Sequence, residues 1–232
     1  MNTISSVAAL AVGSVVATSF GGKGPSYYAY ADSAESAAPK PEAKAKAVPK
    51  GYRVDKAGTV HVSDAVYERV DDKMFRTPKL QKFVKDHALH ETLKGDKLVE
   101  RYEIYRKKGA DEIMAIVRFG QSLNGHPTIV HGGITSLVFD NSYGWLFFCL
   151  KKPASVTANL VVNYRAPLKQ NTTAILKAKL TGEKGRKLFM DATLHEPFAD
   201  GSEQLIADSN TLFIKMRLTL VQKLWMMLFP DH

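Results

Sequence analysis

Apolar and polar positions alternate along most of the second half of the chain, and one long apolar stretch interrupts the alternation. Residues 98–107 and 112–119 follow the two-residue period of a strand, the second with more apolar content. Residues 155–165, 172–181, 187–195 and 204–216 repeat the pattern. Pro167, Gly182 with Gly185, and Pro197 with Asp200-Gly201 supply turn signals between them. Residues 134–150 are apolar almost all round, which predicts a helix buried on most of its sides. Upstream, Asn124-Gly125-His126-Pro127 is loop chemistry, so the helix should start near His131. One long helix followed by several antiparallel strands reads as an α+β fold.

The flanks follow other patterns. Residues 63–93 read as two short helices, broken at Thr77-Pro78, packed on the outside of the sheet. Residues 218–232 contain a predicted apolar helix in which Leu220, Val221, Leu224, Trp225, Met227 and Leu228 are separated only by Gln222 and Lys223. Beside Lys215 and Arg217, such a stripe suits packing on its own domain and equally a docking or membrane-surface helix. Residues 1–22 carry no charge and are rich in Ala, Val and Ser; residues 37–50 are Pro, Ala and Lys in the manner of an extended linker. The expectation is therefore a targeting or anchor segment plus linker over 1–50, a folded domain over 51–217 and an apolar tail. A mitochondrial destination, in the matrix or at the inner membrane, fits the leader. The lack of arginine before Arg53 keeps a plastid leader or a weak spanning segment as alternatives.

Composition narrows the partners. With 232 residues, 45% of them hydrophobic and 24% charged, the chain can bury a sizeable core in one domain and still carry extensions. A net charge of +9 favours anionic partners, but no aromatic–basic motif suggests nucleic acid and no cysteine–histidine spacing suggests a metal. The single cysteine, Cys149, rules out an intrachain disulfide framework and fits a reducing compartment; its expected role is core packing at the end of the helix.

The chemistry concentrates in His131-Gly132-Gly133-Ile134-Thr135-Ser136-Leu137-Val138-Phe139-Asp140. Two glycines at a helix start let a ligand approach the backbone, and the first helical amides have no intrahelical acceptor. Such donors, with the helix dipole behind them, stabilise a carbonyl oxygen as it becomes negative. Taken alone, a Gly-Gly junction is commonly only a turn, and a mid-helix aspartate is commonly solvated or salt-bridged. Asp140 lies seven residues beyond Gly133, about 10 Å along the axis, so one helix does not easily bring both groups to one ester carbon. A composite site shared between two subunits follows, with a homodimer as its minimum and a dimer of dimers as the alternative.

These residues resemble the hotdog-fold acyl-CoA thioesterases of the phenylacetate-pathway and thioesterase-superfamily type. The downstream motifs, 156–167, Gly185-Arg186-Lys187-Leu188-Phe189 and Thr211-Leu212-Phe213-Ile214-Lys215, are similar to the mitochondrial long-chain branch, and the likeness covers roughly residues 98–216. The resemblance implies an antiparallel sheet wrapped around the helix, Asp140 as general base or nucleophile, and Thr157 holding the attacking water. It implies Gly133 as oxyanion donor with Gly132 and His131 beside it, and Asn163, Arg165, Arg186 and Lys187 as coenzyme A ligands. Thr128 departs from it, since many relatives carry glycine there.

The chemistry of the residues agrees: thioester hydrolysis needs an activated water or a carboxylate nucleophile, plus oxyanion stabilisation, and coenzyme A phosphates suit Arg and Lys. No cofactor is expected beyond the coenzyme A of the substrate. Thr157 and Asn163, six positions apart in one strand, should share a face and line one cleft. The expected function is hydrolysis of fatty acyl-CoA to free acid and coenzyme A. The alternative is a thioesterase-like accessory subunit of a large organellar, membrane-associated complex.

Overall fold

The computed structural model describes residues 51–70 and 87–216. Eleven strands and one long helix are named in chain order: β1 (Tyr52–Val54), β2 (Val60–Val62), β3 (Tyr67–Arg69), β4 (Val99–Lys107), β5 (Glu112–Phe119), β6 (Asn124–His126), β7 (Ile129–Val130), α1 (Gly132–Cys149), β8 (Ser155–Tyr164), β9 (Thr172–Lys184), β10 (Lys187–Pro197) and β11 (Glu203–Lys215). Seven of the strands form one sheet in the order β3-β4-β5-β9-β10-β11-β8. Every pairing in it is antiparallel.

The predicted long helix starts one residue after His131 and no residue from Ile134 to Cys149 is exposed. Val138, Phe139, Tyr143, Leu146 and Cys149 pack on the inward residues Ile113, Ala115, Val117, Ala174, Leu176, Leu188, Met190 and Phe213. The expected α+β hotdog arrangement, a sheet against a long helix, is what forms. Beneath α1, Asn141 Nδ2 donates to Tyr102 Oη at 3.0 Å, and Ser142 Oγ is hydrogen-bonded to the same phenol at 3.0 Å. Those bonds tie the helix to β4.

β5 is buried on both faces from Ile113 to Val117, which explains its excess of apolar residues over strict alternation. Met114 and Ile116 point away from the helix into a second cluster with Val60, Tyr67, Tyr105 and Ile175, covered by the β1–β2 hairpin. Glu203 fastens that hairpin by accepting from the Tyr52 phenol and from Lys177 Nζ.

The two helices expected over 63–93 are corrected where residues are described. Val66 packs with Tyr67 in the second cluster, and Tyr67–Arg69 pairs with Arg106 and its neighbours as an edge strand. Only Ala88–Thr92 is helical, a single turn capped by His87, whose Nδ1 accepts from the Leu89 and His90 amides. Tertiary pairing with β4 outweighs local helical spacing at 66–70. The remainder of that expected pair, the leader and linker over 1–50, and the apolar helix over 218–229 lie outside the described residues. Among the described residues, no helix is long and apolar enough to cross a membrane.

Candidate active site

β8 is an edge strand lying beside α1, and it brings two groups of side chains to the helix. At one end, Thr157 Oγ1 donates to Asp140 Oδ1 at 2.7 Å. Asp140 is half-buried and Thr157 exposed, so the pair stands at a surface open to a ligand. At the other end, the Tyr164 phenol donates to the Gly132 carbonyl at 2.7 Å and is hydrogen-bonded to Ser136 Oγ at 2.7 Å. The phenol has one proton and it goes to Gly132, so the Ser136 hydroxyl is the donor in the second bond.

A break in the β8 ladder makes this possible. Leu212 faces Asn159 and Phe213 faces Thr157, leaving Ala158 as an extra residue. The Phe213 ring packs at a tilt against Tyr143 and Phe147 of α1, so its partner Thr157 also faces the helix. Beyond the bulge, Leu160, Val162 and Tyr164 face inward. Asn163 pairs with Asp208 on the opposite face. The expectation that Thr157 and Asn163 line one cleft is therefore corrected, because one inserted residue inverts the face of everything beyond it.

Asn163 Nδ2 and Arg165 Nε both donate to the Asp208 carboxylate, at 2.8 and 2.5 Å. The Arg165 hydrogen bond, with help from Asn163, holds the Asp208 carboxyl below its usual range. Arg186 and Lys187 sit at the β9–β10 turn, at the far end of the sheet; Arg186 Nε donates to the Lys215 carbonyl at 2.9 Å. In the ladder, Lys187 pairs with Ile214, which pairs with Val156, next to Thr157. The four basic and amide residues thus form two separate groups.

At the helix start, His131 caps α1: its Nδ1 accepts from the Gly133 amide at 2.9 Å. The Gly133 donor is therefore engaged rather than idle. The space at both glycines is tight: a Cβ on Gly132 would lie 3.1 Å from Tyr164 Oη and one on Gly133 would lie 3.0 Å from His131 Nδ1, so either side chain would have to shift by a few tenths of an ångström. An open cavity of about 390 Å³ borders this end, lined by Gly132, Thr135, Tyr164, Arg165, Pro167 and Ile206 among others. Thr128 turns the β6–β7 hairpin at φ +64°, a left-handed conformation that glycine adopts without strain.

Cys149 is buried in the core, as expected, and burial pushes its thiol up to about 11. Among the described residues, no cluster of His, Cys, Asp and Glu could hold a metal. Tyr164, Ser136 and Asp208 were not singled out from the sequence. Tyr164 stands between Asn163 and Arg165, but the bulge that turns it inward leaves no mark in the residue pattern.

No family model matches the chain. The chain is 28% identical over 115 residues to acyl-coenzyme A thioesterase THEM4 of Rattus norvegicus, covering 50% of this chain and 48% of that protein. It is 26% identical over 115 residues to the protein of the same name from Mus musculus, with the same coverage of 50% and 48%. This chain thus spans about half the length of the curated relatives it matches. Among solved structures, a thioesterase superfamily protein overlays with a TM-score of 0.45 at 19% identity, covering 64% of this chain and 81% of that one. The matched half of the chain is thus similar in sequence to acyl-coenzyme A thioesterases, and its one long helix packed on an antiparallel sheet has the hotdog arrangement.

Proposed function

We propose that the protein hydrolyses fatty acyl-CoA thioesters to free fatty acid and coenzyme A. The observation that carries this reading is the Thr157–Asp140 hydrogen bond at 2.7 Å on an accessible surface. With Oδ1 held by Thr157, Oδ2 has no partner among the described residues and can take a proton from water, or attack the thioester carbon directly. In either route the carbonyl oxygen gains negative charge. The Gly133 amide would stabilise it in place of His131 Nδ1, and collapse of the tetrahedral intermediate expels the coenzyme A thiolate.

Gly133 and Asp140 stand at different levels of one helix, which supports a site completed by a second copy of this chain. The free edge of β8 exposes Val156 (50%), Val161 (40%) and Tyr164 (53%), and a Cβ on Gly144 would meet nothing nearer than its own helix's Phe147 at 4.0 Å. A half-buried helix position without a side chain, together with an unpaired strand edge and exposed apolar side chains on β8, suits a homodimer. Arg186 and Lys187, and separately Asn163 and Arg165, are the proposed contacts to coenzyme A phosphates, in line with the net charge of +9. The Ser-rich leader, without an acidic residue before Asp32, supports an organellar location, mitochondrial with a plastid as the alternative. The features that favoured an accessory-subunit role, that leader and the apolar tail, lie outside the described residues.

The test is product identity. The purified chain is incubated with acyl-CoAs of graded length, and free acid and coenzyme A are read by mass spectrometry. Appearance of both in equal amounts is expected; a folded, oligomeric protein that releases neither from any chain length would end the reading.

A further inference from the structure

The Gly132 carbonyl and the Gly133 amide belong to one planar peptide group, so whatever fixes one end aims the other. Tyr164 Oη donates to the carbonyl end at 2.7 Å, and the amide end donates to His131 Nδ1 at 2.9 Å. Ser136 Oγ, hydrogen-bonded to the same phenol at 2.7 Å, begins the chain. Protons thus point in one direction throughout: Ser136 hydroxyl to Tyr164 oxygen, Tyr164 hydroxyl to Gly132 oxygen, Gly133 amide to its acceptor. Such chains polarise their members, so a proton donated to the carbonyl makes the amide at the other end a stronger donor.

From this geometry we infer that Tyr164 is a positioning residue for the oxyanion donor: it aims and strengthens the Gly133 amide through their shared peptide plane. The inference rests on the proposed thioesterase reading for its catalytic consequence, but the coupling itself is a property of the folded chain. Three further observations agree with it. Tyr164 is 53% exposed and lines the cavity at the helix start, so burial alone does not account for it. A Cβ on Gly132 would lie 3.1 Å from the phenol oxygen and 3.2 Å from the ring, so the phenol packs closely on this peptide. The Ala158 bulge is what turns Tyr164 and Thr157 to the same side, at the two ends of one strand.

Two substitutions in the full chain test the coupling, each with two readouts. Tyr164→Phe keeps the ring and removes the proton; a fluorinated tyrosine at 164 keeps both and makes the phenol a better donor. In the nuclear magnetic resonance spectrum, the Gly133 amide proton should move upfield in Tyr164→Phe and downfield with fluorotyrosine. In thiol release from acyl-CoA, kcat should fall roughly five- to tenfold in Tyr164→Phe while KM stays near wild type, and fluorotyrosine should retain the rate. Movement of the Gly133 signal in the same direction in both variants, or no movement in either, would assign Tyr164 to packing alone and overturn the inference. An unchanged kcat in Tyr164→Phe would do the same for its catalytic part. Absence of turnover in the wild type would instead remove the thioesterase reading, and the Gly133 signal would still decide the coupling.

Discussion

Thr157 and Asp140 are 17 positions apart in sequence, on different elements, and the threonine hydroxyl donates to the carboxylate at 2.7 Å. One carboxylate oxygen is thereby fixed, and the other has no partner among the described residues. Replacing Thr157 by Ala should lower kcat roughly tenfold, while Thr157→Ser, which keeps the hydroxyl, should restore most of the rate. Steady-state thiol release from an acyl-CoA reads both; equal loss in the two variants would show that the methyl group, not the hydrogen bond, matters.

Ala158 is the residue left over between Thr157 opposite Phe213 and Asn159 opposite Leu212. Deleting it makes β8 regular and keeps Thr157 across from Phe213, so the deletion variant should fold and turn over substrate well above the level of Asp140→Asn. In a strand without that bulge, the same deletion would carry Thr157 to the far face and abolish activity. The assay therefore tests the register directly.

Cys149 lies in the core against the sheet, and burial raises its thiol to about 11. At pH 8 very little thiolate exists, so an aromatic disulfide reagent should label the folded protein slowly and the denaturant-unfolded protein at once. Rapid labelling of the native chain would contradict the packing described for the end of α1.

Asp208 holds Asn163 and Arg165 on the outer face, and the Arg165 hydrogen bond keeps its carboxyl below the ordinary 3.8. A depressed folded-state pKa contributes stability that is present above the unfolded value and lost as pH falls through the folded one. Wild-type stability should therefore drop below about pH 4, and Asp208→Asn should flatten that limb while being less stable at neutral pH. Chemical denaturation at a series of pH values measures it. Because Arg165 is exposed, the effect should be small and should shrink with salt.

The period-two runs placed all six long strands to within a few residues, and the apolar block from Ile134 placed the helix, because each element buries a face that its own pattern records. Residues 66–70 misled because Val66 and Val70 also fit helical spacing, and only pairing with β4 makes 67–69 a strand. The Asp140–Thr157 pair was legible through resemblance. The face of Asn163 was not, since strand parity assumes an unbroken ladder and Ala158 breaks it. His131 as the acceptor of the Gly133 amide, and Tyr164 beneath the Gly132 carbonyl, arise from side chains meeting across elements, which spacing within one element does not encode.

The measurement that bears most directly on the central claim is thiol release from long-chain acyl-CoA by the wild-type chain and by Asp140→Asn, at matched concentration and oligomeric state. Asn keeps the size of the side chain and a hydrogen-bonding oxygen for Thr157 but is neither base nor nucleophile. Clear wild-type turnover with a loss of about a hundredfold or more in Asp140→Asn is the expected result. Turnover by Asp140→Asn equal to wild type would contradict the role assigned to this carboxylate.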